Sequence, residues 1–359
     1  MLELLRGVRI MTMNHVLLMV FIPLVFDLFF IPIVKNIAIH VGALDIPNER
    51  KVHKKPIPRL GGLGIYASFL LGYMIFGKES IQMNSILMGS FVIIITGIID
   101  DIKPIPAKYK FCGQLAAACI VAFYGNILLR DVSAFGIYIN FGIFTYPLTV
   151  LFIVSVVNCI NLIDGLDGLA GGVSSIYFLT IGIIALMLNN SNGLDIILTF
   201  VMLGSTLGFL YYNFNPASIF MGDSGSMFLG YMIAVIALLG FKNVTLTSFI
   251  IPILLLAIPI LDTAFAILRR VINHKPISMP DKNHLHHQFL KMNFSQKTTV
   301  LIIYLINFLF AISSIIYVLG DSTHGIIIYI ILFIIVFIIV YKTDIIFDHS
   351  KSRLDNKNK

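Results

Sequence analysis

Long apolar runs follow one another along this chain, each broken by a short segment in which the polar residues crowd together. A membrane-crossing helix needs roughly 20 mostly apolar residues. By that measure the pattern predicts eleven spanning helices, at 14–34, 60–77, 84–99, 109–124, 147–163, 169–188, 195–213, 226–241, 247–268, 298–319 and 325–342. The expected fold is all-α: a polytopic integral membrane protein forming one domain over 1–359. Its core lies at 14–342 and its tail, 343–359, is expected to be disordered. Several runs are short, with polar residues at their ends, as expected where helix ends surround a wet site rather than lipid. The segment 125–146 breaks the pattern. Its alternation, "FGIYINFGIF", predicts a small hairpin.

Composition agrees. Of 359 residues, 58% are hydrophobic and 12% charged, whereas a soluble domain is about half apolar and a quarter charged. Most of the 25 Lys and Arg fall at 35–59, 103–110, 269–297 and after 342. The positive-inside rule then places the C-terminus in the cytosol and the N-terminus outside, with Arg6 and Arg9 running against the trend. The net charge of +7 is read as basic cytosolic loops, with no nucleic-acid partner. Cys112, Cys119 and Cys159 lie inside apolar runs and are read as buried thiols without a disulfide.

The polar groups fall on one side of this topology. Asp100 and Asp101 end the third span. "NCINLIDGLDGLAGG" closes the fifth with Asn158, Asn161, Asp164 and Asp167. "NFNPASIFMGDSGSMF" follows the seventh with Asp223, and "LDTAFAILRR" ends the ninth with Asp262, Arg269 and Arg270. "PDKNHLHHQF" adds His284, His286 and His287. The topology rests on basic residues alone, yet these acidic and histidine groups share the cytosolic face. Asn161, Asp164 and Asp167 step by three, so a helix would stack them on one face. Stacked carboxylates next to a bilayer need a neutralising cation. Oxygen ligands from Asp and Asn suit Mg²⁺, with Mn²⁺ as a substitute.

Blander explanations compete. Asp45, Asp195 and Asp344 read as solvated helix ends or partners of lysine. Asp27, mid-helix, is functional or bonds a neighbouring helix. "DGLDG" alone is a turn signal, the His group alone a surface loop, and "RKVHKKPIPR" alone a positive-inside anchor. Five such clusters on one face of a chain so poor in charge favour a site. A proton-coupled secondary transporter is the rival class, but inverted repeats and midplane sites are its usual signs. The chain has no evident repeat.

The ordered motifs "HKKPIPRLGG", "GIIDDI", "NLIDGLDGLAGG", "FMGDSGSMFLG", "DTAFAILRR" and "HLHHQF", across about 45–295, resemble the polyprenyl-phosphate N-acetylhexosamine-1-phosphate transferases. The "PIPRLGG" loop is most similar to the branch that begins teichoic acid, enterobacterial common antigen or O-antigen synthesis. The phospho-N-acetylmuramoyl-pentapeptide transferase branch is the alternative. The resemblance implies transfer of N-acetylglucosamine 1-phosphate from UDP-N-acetylglucosamine to undecaprenyl phosphate, releasing UMP, with Mg²⁺, at the cytosolic face of the plasma membrane.

It also implies residue roles. Asp223 is the metal ligand, with Asn161 and Asp101 contributing. Asp100 deprotonates or orients the lipid phosphate, supported by Asp101. Lys110 contacts phosphate, Phe220 stacks on uracil and Asp167 contacts it. Asp164 lies in the nucleotide-sugar site. His286, with His284 and His287, approaches the pyrophosphate or the sugar. Arg269 and Arg270 hold phosphate or sugar oxygens, while Arg59, His53, Lys54 and Lys55 are candidates for the lipid phosphate. Membrane lipids and a second copy of the chain, as a homodimer, complete the expected partners.

Overall fold

The computed structural model describes residues 13–47, 55–134, 137–188, 193–240, 250–272, 274, 284–320 and 322–342. The tail 343–359, Asp344, His53, Lys54 and much of 270–295 lie outside them. Thirteen α-helices are present among the described residues. They are α1 Met13–His40, α2 Gly61–Phe76, α3 Ile81–Ile102, α4 Ala107–Cys119, α5 Thr145–Ile163, α6 Leu169–Met187, α7 Leu194–Asn213, α8 Gly222–Gly240, α9 Ile250–Leu255, α10 Ala257–Ile272, α11 Leu285–Lys291, α12 Gln296–Leu319 and α13 Ser322–Lys342. Among the described residues, seven stretches are long and apolar enough to cross a bilayer, and two shorter apolar helices, Gly61–Phe76 and Thr323–Ile339, accompany them. The chain is a multi-pass membrane protein.

Two compact units divide it, residues 1–252 and 253–359. In the first, α8 runs through the centre. Nearly every side chain from Ser224 to Leu239 is buried, on all sides of the helix. A helix apolar all round is a buried one. Here α3 and α5 pack against α8, and α1 packs against α2 and α7. Outer faces are exposed and apolar, as on Phe21, Phe29 and Ile33 of α1, which is how a helix meets lipid tails. The predicted hairpin is present: β3 (Asp131–Ala134) and β4 (Ile137–Asn140) pair antiparallel, Asp131 opposite Asn140. A second short ladder joins β1 (Leu44–Asp45) to β2 (Ile57–Pro58).

The second unit holds α10 to α13. Helices α12 and α13 form a hairpin in which Ser313 Oγ donates to the Gly325 carbonyl at 3.0 Å and Tyr329 Oη to Ser314 Oγ at 2.7 Å.

Local signals set the ends that matter. Ser80 caps α3, its hydroxyl accepting the Met83 amide at 3.0 Å. Pro104 follows the last turn of α3, where the residue before a proline leaves the helical region.

Three expectations are corrected. The run 247–268 is not one helix: α9 stops at Leu255 and α10 starts at Ala257. Cys112 is exposed and only Cys159 is buried. Cys112 shares the outer side of α4 with exposed Tyr109, Phe111 and Leu115, because in a membrane protein an apolar run faces lipid as readily as protein. Asp195 is not a solvated helix end; it is buried in the first turn of α7.

Candidate active site

The site grows from two loops stitched together by backbone. The Phe220 amide donates to the Pro58 carbonyl at 2.7 Å. The amides of Gly61 and Gly62 donate to the carbonyls of Phe220 and Met221, both at 2.9 Å. The "PIPRLGG" segment therefore lies against "IFMGDSG" like two strands. Gly62 is required there, because a Cβ would collide with the backbone of Gly225 and Ser224. Gly222 turns the chain into α8 at φ +72°, in the left-handed region that glycine adopts without strain.

Asp100 and Asp101, on the last turn of α3, are both buried. Asp101 reaches the start of α8. Its Oδ1 accepts the Asp223 amide at 2.9 Å, and its Oδ2 accepts the Ser224 amide at 3.0 Å and the Ser224 hydroxyl at 2.6 Å. These are backbone donors that a helix start leaves unpaired. Asp100 Oδ1 accepts the Ile105 amide at 2.9 Å, which holds the proline turn between α3 and α4.

Two cations face the carboxylates. Lys110 Nζ, in the first turn of α4, lies 2.7 Å from Asp223 Oδ2 and 3.5 Å from Asp100 Oδ2. Arg59 brings its guanidinium within 3.3 Å of Asp101, 3.6 Å of Asp100 and 3.5 Å of Asp45. Asp100, Asp101 and Asp223 each offer an oxygen within 4.8 Å of the others, a spacing that can hold a metal ion. The all-oxygen donor set fits a hard divalent cation.

The fifth-span motif behaves differently from expectation. Helix α5 ends at Ile163, and Gly165 and Gly168, the latter at φ +80°, carry the chain through a turn. Asn161, Asp164 and Asp167 therefore do not stack on one helical face. Asn161 Nδ2 donates to Ser226 Oγ at 2.8 Å, and Ser226 in turn to the Gly222 carbonyl at 3.1 Å. That contact uses the side-chain nitrogen of Asn161 and not its side-chain oxygen. Asp167 Oδ2 accepts from Asn215 Nδ2 at 2.9 Å and from the Ala217 amide at 3.0 Å, fixing the loop before Phe220. Asp164 is pushed up to about 8 by burial first, then by the charges of Asp223, Asp101 and Asp167.

The sequence reading missed Ser224 and Ser226, which tie Asp101 and Asn161 to α8. It also missed Gln114, whose Oε1 accepts from Asn158 Nδ2 at 2.7 Å inside the helix packing. The serines of "GDSGS" were a legible signal, since hydroxyls at a helix start serve as caps. Asp45, read as a solvated end or a lysine's partner, lies 3.5 Å from Arg59.

In the 253–359 unit, Arg269 and Arg270 are buried on the last turn of α10. His284 is the residue before α11, with His286 and His287 on its first turn. Their rings group together, His284 and His286 parallel at 5.7 Å and His286 and His287 at 4.3 Å. Burial foremost, then the neighbouring His287, lowers His286 to about 3.

Carboxylates and cations gathered at the ends of apolar helices define an integral membrane protein with a polar site for charged ligands. Residues 83–241 match glycosyl transferase family 4. The chain is 46% identical over 288 residues to the "Probable undecaprenyl-phosphate N-acetylglucosaminyl 1-phosphate transferase" of Bacillus subtilis, covering 79% of this chain and 80% of that one. It is 33% identical to the decaprenyl-phosphate N-acetylglucosaminephosphotransferase of Mycolicibacterium smegmatis, over 76% of this chain and 74% of that one. Identity to the undecaprenyl-phosphate alpha-N-acetylglucosaminyl 1-phosphate transferase of Escherichia coli K12 is 28%, over 88% and 86%. The chain belongs to glycosyl transferase family 4, within its polyprenyl-phosphate N-acetylglucosamine-phosphate transferases.

Proposed function

We propose that the chain transfers N-acetylglucosamine 1-phosphate from UDP-N-acetylglucosamine to undecaprenyl phosphate at the cytosolic face of the plasma membrane. The products are undecaprenyl-pyrophosphoryl-N-acetylglucosamine and UMP, and the step begins the synthesis of a cell-wall polymer. The observation that carries this is the convergence of Arg59, Asp100, Asp101, Lys110 and Asp223, from four stretches of sequence, into one cluster at helix ends. A lipid phosphate and a soluble nucleotide sugar can meet only at such a membrane surface. Eleven spans, with the N-terminus outside and the C-terminus cytosolic, would put every element of the cluster on the cytosolic side.

In the transfer, a phosphate oxygen of the lipid attacks the phosphorus that bears the sugar. The bond from that phosphorus to the bridging oxygen breaks, and its electron pair leaves with UMP. Phosphoryl transfer asks a protein mostly for positioning and charge neutralisation. Asp223, with the Asn161 carbonyl oxygen, would hold Mg²⁺. Bound there, the ion would offset charge on the pyrophosphate oxygens and the departing UMP. Lys110 carries its ammonium between Asp100 and Asp223, where phosphate oxygens compete for it. Arg59 adds a second positive group beside the acceptor path. A phosphate monoester has its second pKa near 6, so the acceptor reaches neutral pH mostly as the dianion. Asp100 is then needed to orient Lys110 and the acceptor more than to remove a proton. Asp167 and Phe220, on adjoining loops, are suited to the uracil.

The test is UMP release by the purified full-length protein from UDP-N-acetylglucosamine, undecaprenyl phosphate and Mg²⁺, with and without EDTA, across a panel of UDP-sugars. Release that depends on both the lipid and the metal supports the reading. Asp100→Asn and Asp223→Asn should each abolish it in folded protein. A near-normal Asp223→Asn enzyme with unchanged Mg²⁺ dependence would overturn the metal assignment.

A further inference from the structure

Lys110 stands on the ground that a divalent cation would need. Asp100, Asp101 and Asp223 each offer an oxygen within 4.8 Å of the others. The Lys110 ammonium reaches two of those three, with Nζ 2.7 Å from Asp223 Oδ2 and 3.5 Å from Asp100 Oδ2. We propose that Lys110 competes with the divalent cation for Asp223, so that taking up the ion and releasing the ammonium to a phosphate are one exchange. The proposal rests on the reading of the site given above.

Asp100 and Asp101 are 4% and 3% exposed. Carboxylates this close and this buried repel one another unless a positive group stands among them. Arg59 serves Asp100 and Asp101, at 3.6 and 3.3 Å, and Lys110 serves Asp223. The Lys110 bond at 2.7 Å has ions on both sides, the kind that is about twice as strong as a neutral hydrogen bond. A divalent ion on the same carboxylate would lie against the ammonium, and two cations at such a distance repel. Lysine is suited to withdrawing. Its four-carbon stem swings a compact charge without moving the backbone, and the Lys110 side chain is 26% exposed, so water can receive it. The pairing lowers metal affinity in proportion to the time that Asp223 spends closed. It also leaves Lys110 freest for a phosphate once the ion is bound, so metal and phosphate favour each other's binding, and the coupling is reciprocal.

The test is binding of Mn²⁺ alone, followed by electron paramagnetic resonance, to the full-length protein in detergent without nucleotide or lipid. Lys110→Met keeps the length of the side chain and removes its charge. It should bind Mn²⁺ about 10–100-fold more tightly than the wild type, the range set by one charged hydrogen bond. Lys110→Arg, which keeps a cation beside Asp223, should stay near the wild-type affinity. Lys108→Gln is the control for net charge. It removes the same charge two positions away, from an exposed ammonium 5.0 Å from the centre of the Tyr109 ring, and should also stay near wild type. Unfolding temperature gives a second reading. In EDTA Lys110→Met should melt below the wild type, having lost the pair, and saturating Mn²⁺ should close the gap. Lys110→Gln supplies the same two readings should the methionine variant misfold. Unchanged or weaker Mn²⁺ binding without the Lys110 charge, a gain matched by Lys108→Gln, or no binding by any of these proteins would overturn the proposal. Wild-type protein that releases no UMP, yet shows the difference in Mn²⁺ affinity, would refute the transfer reaction and not the exchange. Normal UMP release with equal affinities would do the reverse.

Discussion

Asp101 caps a helix to which it is not joined: its carboxylate takes the amides of Asp223 and Ser224 at 2.9 and 3.0 Å. The end of α3 therefore sets where α8 begins, and with it where Asp223 points. Both Asp101 oxygens accept these donors and the Ser224 hydroxyl, and we propose that its part in the site is chiefly to hold Asp223. Asp101→Ala should destabilise the protein by about 1–2 kcal/mol, the cost of a lost helix cap, and should also remove activity. Asp101→Asn should weaken Mn²⁺ binding, followed by electron paramagnetic resonance, far less than Asp223→Asn does. Equal losses of affinity in the two variants would make Asp101 a direct ligand.

The contact between the two glycine loops is equally exacting. A methyl group at Gly62 would meet the α8 backbone at Ser224 and Gly225, which cannot yield as a side-chain end can. Overpacking of this kind costs about 1–3 kcal/mol. Gly62→Ala should lower the unfolding temperature in detergent and reduce kcat, because it shifts the turn that carries Asp223. Gly42→Ala gives a contrast, since nothing lies within 4 Å of a Cβ there. Its left-handed φ of +76° still strains an alanine, but its effect should stay with stability and leave kcat intact.

Asp164 links pH to stability. Burial and the surrounding Asp223, Asp101 and Asp167 raise its carboxyl from 3.8 to about 8. A raised carboxyl binds its proton more tightly in the folded state, so it favours folding at low pH. That advantage is lost as pH rises from near 4 through about 8. In EDTA the unfolding temperature should fall across this window, and Asp164→Asn should flatten the fall. Added Mg²⁺ should restore stability most at the alkaline end, where the carboxylates it neutralises are ionised. A wild-type protein in EDTA with the same unfolding temperature at pH 5 and pH 8.5 would contradict this.

Much of this architecture is readable from apolar periodicity and from punctuation. Ser80 and Pro104 bracket α3, and the polar ends of spans lead directly to Asp100, Lys110 and Asp223. Periodicity misleads where glycine intervenes. The three-residue steps of Asn161, Asp164 and Asp167 look helical, but Gly165 and Gly168 end the helix and redirect each side chain to a different partner. Apolar runs cannot say which face meets protein and which meets lipid, so Cys112 and Asp195 were both misjudged. Capping across helices, as by Asp101 on α8 or Asp262 on α11, joins residues more than twenty positions apart. No local spacing encodes it.

Asp27 tests the rival class directly. It lies mid-way along α1, 0% exposed, and neither carboxyl oxygen has a hydrogen-bond partner. Gly64 of α2 and Gly208 of α7 press against it so closely that a Cβ on either would come within 2.9 Å of Asp27 atoms. A buried, unpaired polar group costs stability. A proton-coupled carrier would need such a carboxyl for turnover, whereas a transferase whose chemistry lies at the helix ends does not. Asp27→Asn keeps the shape and removes the ionisable group. It should leave UMP release near the wild-type rate and hold or raise the unfolding temperature. Asp27→Leu, larger at Cγ, should clash with Gly64 and lower that temperature. A folded Asp27→Asn protein that has lost all transfer would give this carboxyl a part in the reaction, and the membrane interior would then belong to the mechanism.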